Sequence, residues 1–67
     1  MITVSINGSP RLLQDSTSVA TLIKELGFTG KRIALERNGE IVPRSRYAEQ
    51  QLSDGDRLEV VVAVGGG

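Results

Sequence analysis

Arg57-Leu58-Glu59-Val60-Val61-Val62-Ala63-Val64, followed by Gly65-Gly66-Gly67, is the stretch on which the fold turns. Its β-branched content and alternation read as a strand over 57–64, with Leu58, Val60 and Val62 on one face and Glu59, Val61 and Ala63 on the other. Ser53-Asp54-Gly55-Asp56 before it is a turn signal. The three glycines after it lack Cβ atoms and reach backbone angles closed to other residues. They read as a flexible tail, 65–67, leaving a domain over 1–64.

Working outward, Ile2 to Ile6 alternates apolar and polar as a one-face-buried strand. Asn7-Gly8 accepts positive φ and marks a tight hairpin. Pro10 to Gln14 returns as its partner, its proline placed where the ladder needs no N–H. Ser18 or Thr17 caps a helix whose Val19, Leu22, Ile23 and Leu26 form one apolar stripe. Gly27 stands at the left-handed stop, and Phe28 can fold back on the last turn. Ile33 to Arg37 reads as a third strand, Asn38-Gly39 as the next turn and Glu40 to Val42 as a short fourth strand ended by Pro43. From Arg44 to Leu52 no clean period appears, which suggests a 3₁₀ turn near 45–48 within an irregular crossover. The order is ββαββ, then the final strand.

The first and last strands are separated by the whole chain and cannot form a tight hairpin. Laid side by side in one sheet, they leave a single helix to cover one face. That is an α+β, ubiquitin-like β-grasp architecture: a mixed sheet of about five strands packed on one helix. The expected core is Val4, Ile6, Leu13, Val19, Leu22, Ile23, Leu26, Ile33, Leu35, Ile41, Leu52, Leu58 and Val60.

Composition narrows the function. In 67 residues there is no cysteine and no histidine. Thiolate nucleophiles, zinc–thiolate sites and the usual neutral-pH general base are therefore unavailable. A self-contained enzyme is not expected. Eight basic and eight acidic residues cancel, against a nucleic-acid binder held by a basic face. No polybasic run suits a membrane surface, no apolar segment suits a membrane span, and the N-terminus lacks a signal-peptide pattern. The chain reads as cytoplasmic and, when free, monomeric.

Ala34-Leu35, Asn38, Ile41-Val42-Pro43-Arg44, Tyr47, Leu52, Asp54-Gly55-Asp56 and Val64-Gly65-Gly66-Gly67, in that order and spacing, span nearly the whole chain. Together they resemble the ThiS family of ubiquitin-like sulfur carriers of thiamine (thiazole) biosynthesis. Tyr47 stands where Trp is frequent in that family. The resemblance implies that a ThiF-like, E1-type enzyme uses ATP and Mg²⁺ to adenylate the carboxyl of Gly67. A persulfide then supplies sulfur, and the resulting thiocarboxylate serves a ThiG-like thiazole synthase. No cofactor is expected on the carrier itself.

An α-carboxyl is ionised at neutral pH, and a carboxylate donates its acyl group only after an oxygen becomes a leaving group. The phosphates involved need positive charge around them. Along the chain the nearest basic residue is Arg57, at the far end of the strand, so the catalytic groups are expected in the partner. Gly67 is the expected reactive residue, Gly66 keeps its approach clear, and Gly65 adds reach. Val61, Ala63 and Val64 are candidates for partner docking; the alternative is that surface valines only favour the strand. Asp54 and Asp56 read as turn formers rather than metal ligands. Pro43-Arg44 reads as structural, with Arg44 in an ion pair, and Tyr47 as packing under the crossover. Rival readings are a MoaD-like small subunit of molybdopterin synthase, a ubiquitin-like protein modifier and an inert interaction domain.

Overall fold

The computed structural model describes residues 1–63. Two hairpins and one helix organise them. β1 (Ile2–Ile6) pairs antiparallel with β2 (Ser9–Leu13), Ile6 facing Ser9. The two residues between them, Asn7 and Gly8, have φ of 50° and 86°, the two positive values a primed hairpin turn demands. β3 (Ile33–Arg37) and β4 (Glu40–Ile41) repeat the device, with Arg37 facing Glu40 across Asn38 and Gly39 at 53° and 86°. β5 (Arg57–Val62) lies between the hairpins, parallel to β1 and antiparallel to β3. The five-stranded sheet therefore runs β2-β1-β5-β3-β4, a mixed β-grasp sheet with its first and last strands side by side as expected, and with a β3–β5 pairing that the sequence reading did not draw.

α1 (Val19–Glu25) covers one face. Ser18 is its N-cap, its Oγ accepting from the Thr21 N–H at 3.1 Å. Thr17 does not cap; its hydroxyl donates to the Gln14 carbonyl at 2.6 Å. At the other end Gly27 takes φ of 80°. There the Gly27 and Phe28 amides return to the Lys24 and Ile23 carbonyls at 3.1 and 3.0 Å, a Schellman stop that turns Phe28 onto the core. The 3₁₀ turn occupies Arg44–Arg46, one residue earlier than expected. The crossover that follows serves the helix start, since the Gln50 and Tyr47 carbonyls accept from the Val19 and Ala20 amides. Two orphan donors of the first turn are thereby satisfied.

Val4, Leu13, Val19, Leu22, Ile23, Leu35, Val42, Leu52, Leu58 and Val60 form the buried core. Ile6, Leu26 and Ile33 are partly buried against it. The expectation for Ile41 fails: it is 72% exposed, and Val42 is buried in its place. Register explains the exchange. Ile41 faces outward-pointing Glu36, whereas the Val42 amide donates to the carbonyl of inward-facing Leu35. A one-residue shift reverses the face of every side chain in a strand, and a strand this short shows no alternation to read. The strand assigned to 57–64 is observed to Val62. Val64 lies outside the described residues, as do Gly65, Gly66 and Gly67.

Candidate functional site

β5 carries the site, and its two ends are built differently. At the start, Asp56 is buried and accepts from Arg37 Nε at 2.8 Å, Asn38 Nδ2 at 3.0 Å and the Ser53 amide at 2.8 Å. Burial pushes the pKa of this carboxyl up, but the Arg37, Ser53 and Asn38 hydrogen bonds and the Arg37 charge outweigh it, so the value falls below the ordinary carboxylate range. Asn38 Oδ1 also accepts from the Arg57 amide at 2.9 Å. Further along, Asn7 pairs its side-chain amide with both backbone groups of Val60, at 2.8 and 3.1 Å. Each Asn-Gly turn thus supplies a clamp on β5 as well as a bend. The sequence showed the bends only.

Asp54 and Asp56 act as turn and sheet acceptors, Asp54 taking the Thr3 amide at 2.7 Å. Arg44 differs from expectation: its Nη2 donates to the Lys31 carbonyl at 3.1 Å, and it joins no ion pair among the described residues. Tyr47 is partly buried against the core.

At the far end, inward Leu58 and Val60 are buried while Val61 is 63% exposed on the opposite face. Ala63, also exposed, donates its amide to the Arg32 carbonyl at 2.9 Å. Arg32, Ile33, Ala34, Arg44, Val61 and Ala63 line an open concavity of about 360 Å³. The expectation about basic residues near the tail concerns residues outside those described; the last described residue is Ala63. Arg57 is the nearest along the chain, but antiparallel pairing of β3 with β5 brings Arg32 beside Ala63, and Arg44 lines the same hollow. Sequence reasoning missed both because it did not pair the third strand with the last. Gly67, Gly66, Gly65 and Val64 cannot be placed on this geometry, since they lie outside the described residues.

A mixed five-stranded sheet with its last strand at the centre and one helix on one face defines a ubiquitin-like β-grasp domain. Comparison with known proteins carries this further: a family model described as the ThiS family matches residues 4–67. The chain belongs to the ThiS family.

The sulfur carrier protein ThiS of Bacillus subtilis is 37% identical over 54 residues, covering 81% of this chain and 82% of that one. The crystal structure of thiamine biosynthesis protein ThiS from Geobacter metallireducens is similar at a TM-score of 0.83 and 28% identity, covering 98% of this chain and 100% of that one. A thiazole synthase of Paramagnetospirillum magneticum is 48% identical over 62 residues, which are 92% of this chain but 19% of that protein. A Magnetococcus marinus thiazole synthase behaves alike, at 36% identity over 64 residues and 20% of its length. The chain thus spans about a fifth of those two relatives. No helix among the described residues is long and apolar enough to cross a membrane.

Proposed function

We propose that the protein is a sulfur carrier of thiamine biosynthesis whose working group is the carboxyl of Gly67. The observation that carries this reading is the family match, which runs through the glycines to residue 67. A ThiF-like enzyme, using ATP and Mg²⁺, directs a Gly67 carboxylate oxygen to the α-phosphorus, and pyrophosphate leaves. The terminal sulfur of a protein persulfide attacks the acyl carbon and releases AMP. A second thiol cleaves the resulting acyl disulfide, leaving the thiocarboxylate that a ThiG-like thiazole synthase consumes. Gly66 and Gly65 keep the approach narrow enough to thread a channel, because a residue without Cβ adds no bulk there.

The rigid part of the carrier presents the tail. Val61, Ala63 and Val64 are proposed as the docking surface; of these Val61 and Ala63 are exposed on the sheet face away from α1. Arg32 and Arg44 add positive charge to the hollow that Val61 and Ala63 line. The activating groups themselves belong to the adenylating enzyme, so the carrier is a regenerated substrate.

The test is intact mass after incubation with ATP, Mg²⁺, the adenylating enzyme and a persulfide source. Exchange of one oxygen for sulfur is the expected result, and removal of Gly67 abolishes it. Lysine-linked conjugates would instead identify a protein modifier, and an unchanged mass would overturn the carrier reading.

A further inference from the structure

The sheet has two open edges, β2 and β4, and the ladder fixes which backbone groups each edge shows. The Ser5 and Asn7 amides donate toward β5, to the Asp56 and Leu58 carbonyls. Backbone groups of a paired strand alternate sides, so Val4 and Ile6 turn theirs to β2, where they face Arg11 and Ser9. The alternate residues of β2, Pro10 and Leu12, turn theirs away from the sheet. On the other edge the Val42 amide donates to the Leu35 carbonyl, and the same alternation turns Ile41 and Pro43 outward. Pro43 continues the extended backbone, at φ −65° and ψ 147°.

The chain has two prolines, and both stand where an N–H would point off an edge. Proline has no N–H to offer there. Acceptors beside them are occupied as well: the Arg46 amide donates to the Pro43 carbonyl at 2.9 Å, and the Thr17 hydroxyl to the Gln14 carbonyl at 2.6 Å. Each edge strand is left with one residue that presents an outward donor and an outward acceptor, Leu12 on β2 and Ile41 on β4. These are also the large apolar side chains that the edge strands expose, at 65% and 72%. Tolerance alone permits a proline on an edge. Here each stands two residues from the one sticky position, on the same side of the strand.

We propose that Pro10 and Pro43 are edge guards, which keep a second copy of this chain from adding a strand to either side of the sheet. An open edge bearing apolar side chains is a template for such pairing. Antiparallel addition of β2 to the β2 of another copy, centred on Leu12, forms one full rung there. On each side the next rung sets Pro10 against Gln14. The bond from residue 10 to the Gln14 carbonyl then fails, because Pro10 has no N–H and Thr17 already holds that carbonyl. On β4 the ladder that starts at Ile41 stops at Pro43 in the same way. Each backbone bond contributes little net stability, so one full rung does not hold two copies together. The inference does not depend on the carrier reading.

The test begins on the unaltered full chain. Amide exchange by NMR should be fast at Leu12 and Ile41 and slow at Arg11 and Val42, whose amides face β1 and β3. Protection at Leu12 and Ile41 would show occupied edges and overturn the inference. Pro10→Val and Pro43→Val, made singly and together, each give an extended residue an outward amide. Ser9→Val is the control, since it adds a β-branched side chain to the same strand but no outward amide. In sedimentation equilibrium the wild type and the control should keep the monomer mass up to about 1 mM. The double variant should climb toward about twice that mass, and exchange at Leu12 or Ile41 should slow about tenfold as concentration rises. If the double variant does not fold, each single variant is read by the same two measurements. A folded variant that stays monomeric overturns the proposal, as does a wild type that dimerises. Association without protection of those two amides overturns it too, since apolar clumping then accounts for the mass.

Discussion

The two ends of β5 are made of similar residues and do opposite work. Where the strand begins, Asp56 and Asn38 tie it to the β3–β4 hairpin through side chains, and further along Asn7 ties Val60 to the β1–β2 hairpin. Where it ends, the ties are backbone only, the β3 ladder at Val61 and Val62 and the Ala63–Arg32 bond, and Val61 stands open to solvent. On the proposed carrier role, anchoring one end of the strand lets the other stay uncovered. Stability is concentrated at one end of β5 and exposure at the other.

Substitutions can break or sharpen that contrast. The largest effect on stability is expected at Leu58, which is 1% exposed. Leu58→Ala should cost about 3 kcal/mol in chemical denaturation, from lost transfer energy and the cavity left behind. Next comes Asp56→Asn, expected to cost about 2–3 kcal/mol because it strips the acceptor from Arg37 and turns an amide toward other donors.

The same carboxylate sets an acid limit. Its folded pKa lies below the ordinary range, so its contribution is complete above the unfolded value of about 3.9 and is lost as pH falls through the folded one. Melting temperature should hold from neutral pH to about 5 and drop below about 4, with a flatter profile in Asp56→Asn. A profile equally steep in that variant would remove Asp56 as the cause.

Asn7→Ala should cost about 1–2 kcal/mol, since both backbone groups of Val60 lose their partner. Amide exchange at Val60 should rise with it. The smallest effect is at the presenting end: Val61→Thr should change stability by less than about 0.5 kcal/mol. A larger loss would show that this end is structural after all.

Much of this was legible in the chain. The helix stripe, its Ser18 cap and the Gly27 stop are local patterns with local causes, and they appear where the sequence puts them. Both Asn-Gly pairs gave turns because few residues accept two successive positive φ values. Ile41 was misread for want of length, since two residues carry no period. Arg32 and Arg44 were missed because their relation to Ala63 depends on which strands pair. Asn7 and Asn38 were half read: turn chemistry is local, but the backbone each clamps lies 53 and 19 residues away.

The sequence by itself determined the element order, the two faces of the last strand and a composition without histidine or cysteine. Those follow from periodicity and composition, which need no neighbours. The tertiary structure alone decided that β5 pairs with β3 on its other side, and hence that Arg32 stands beside Ala63 and Glu36 opposite Glu59. Pairing across distant strands is set by burial of the shared inner face against α1. The charges on the outer face are carried into register by that burial, and no local pattern reveals where they will meet.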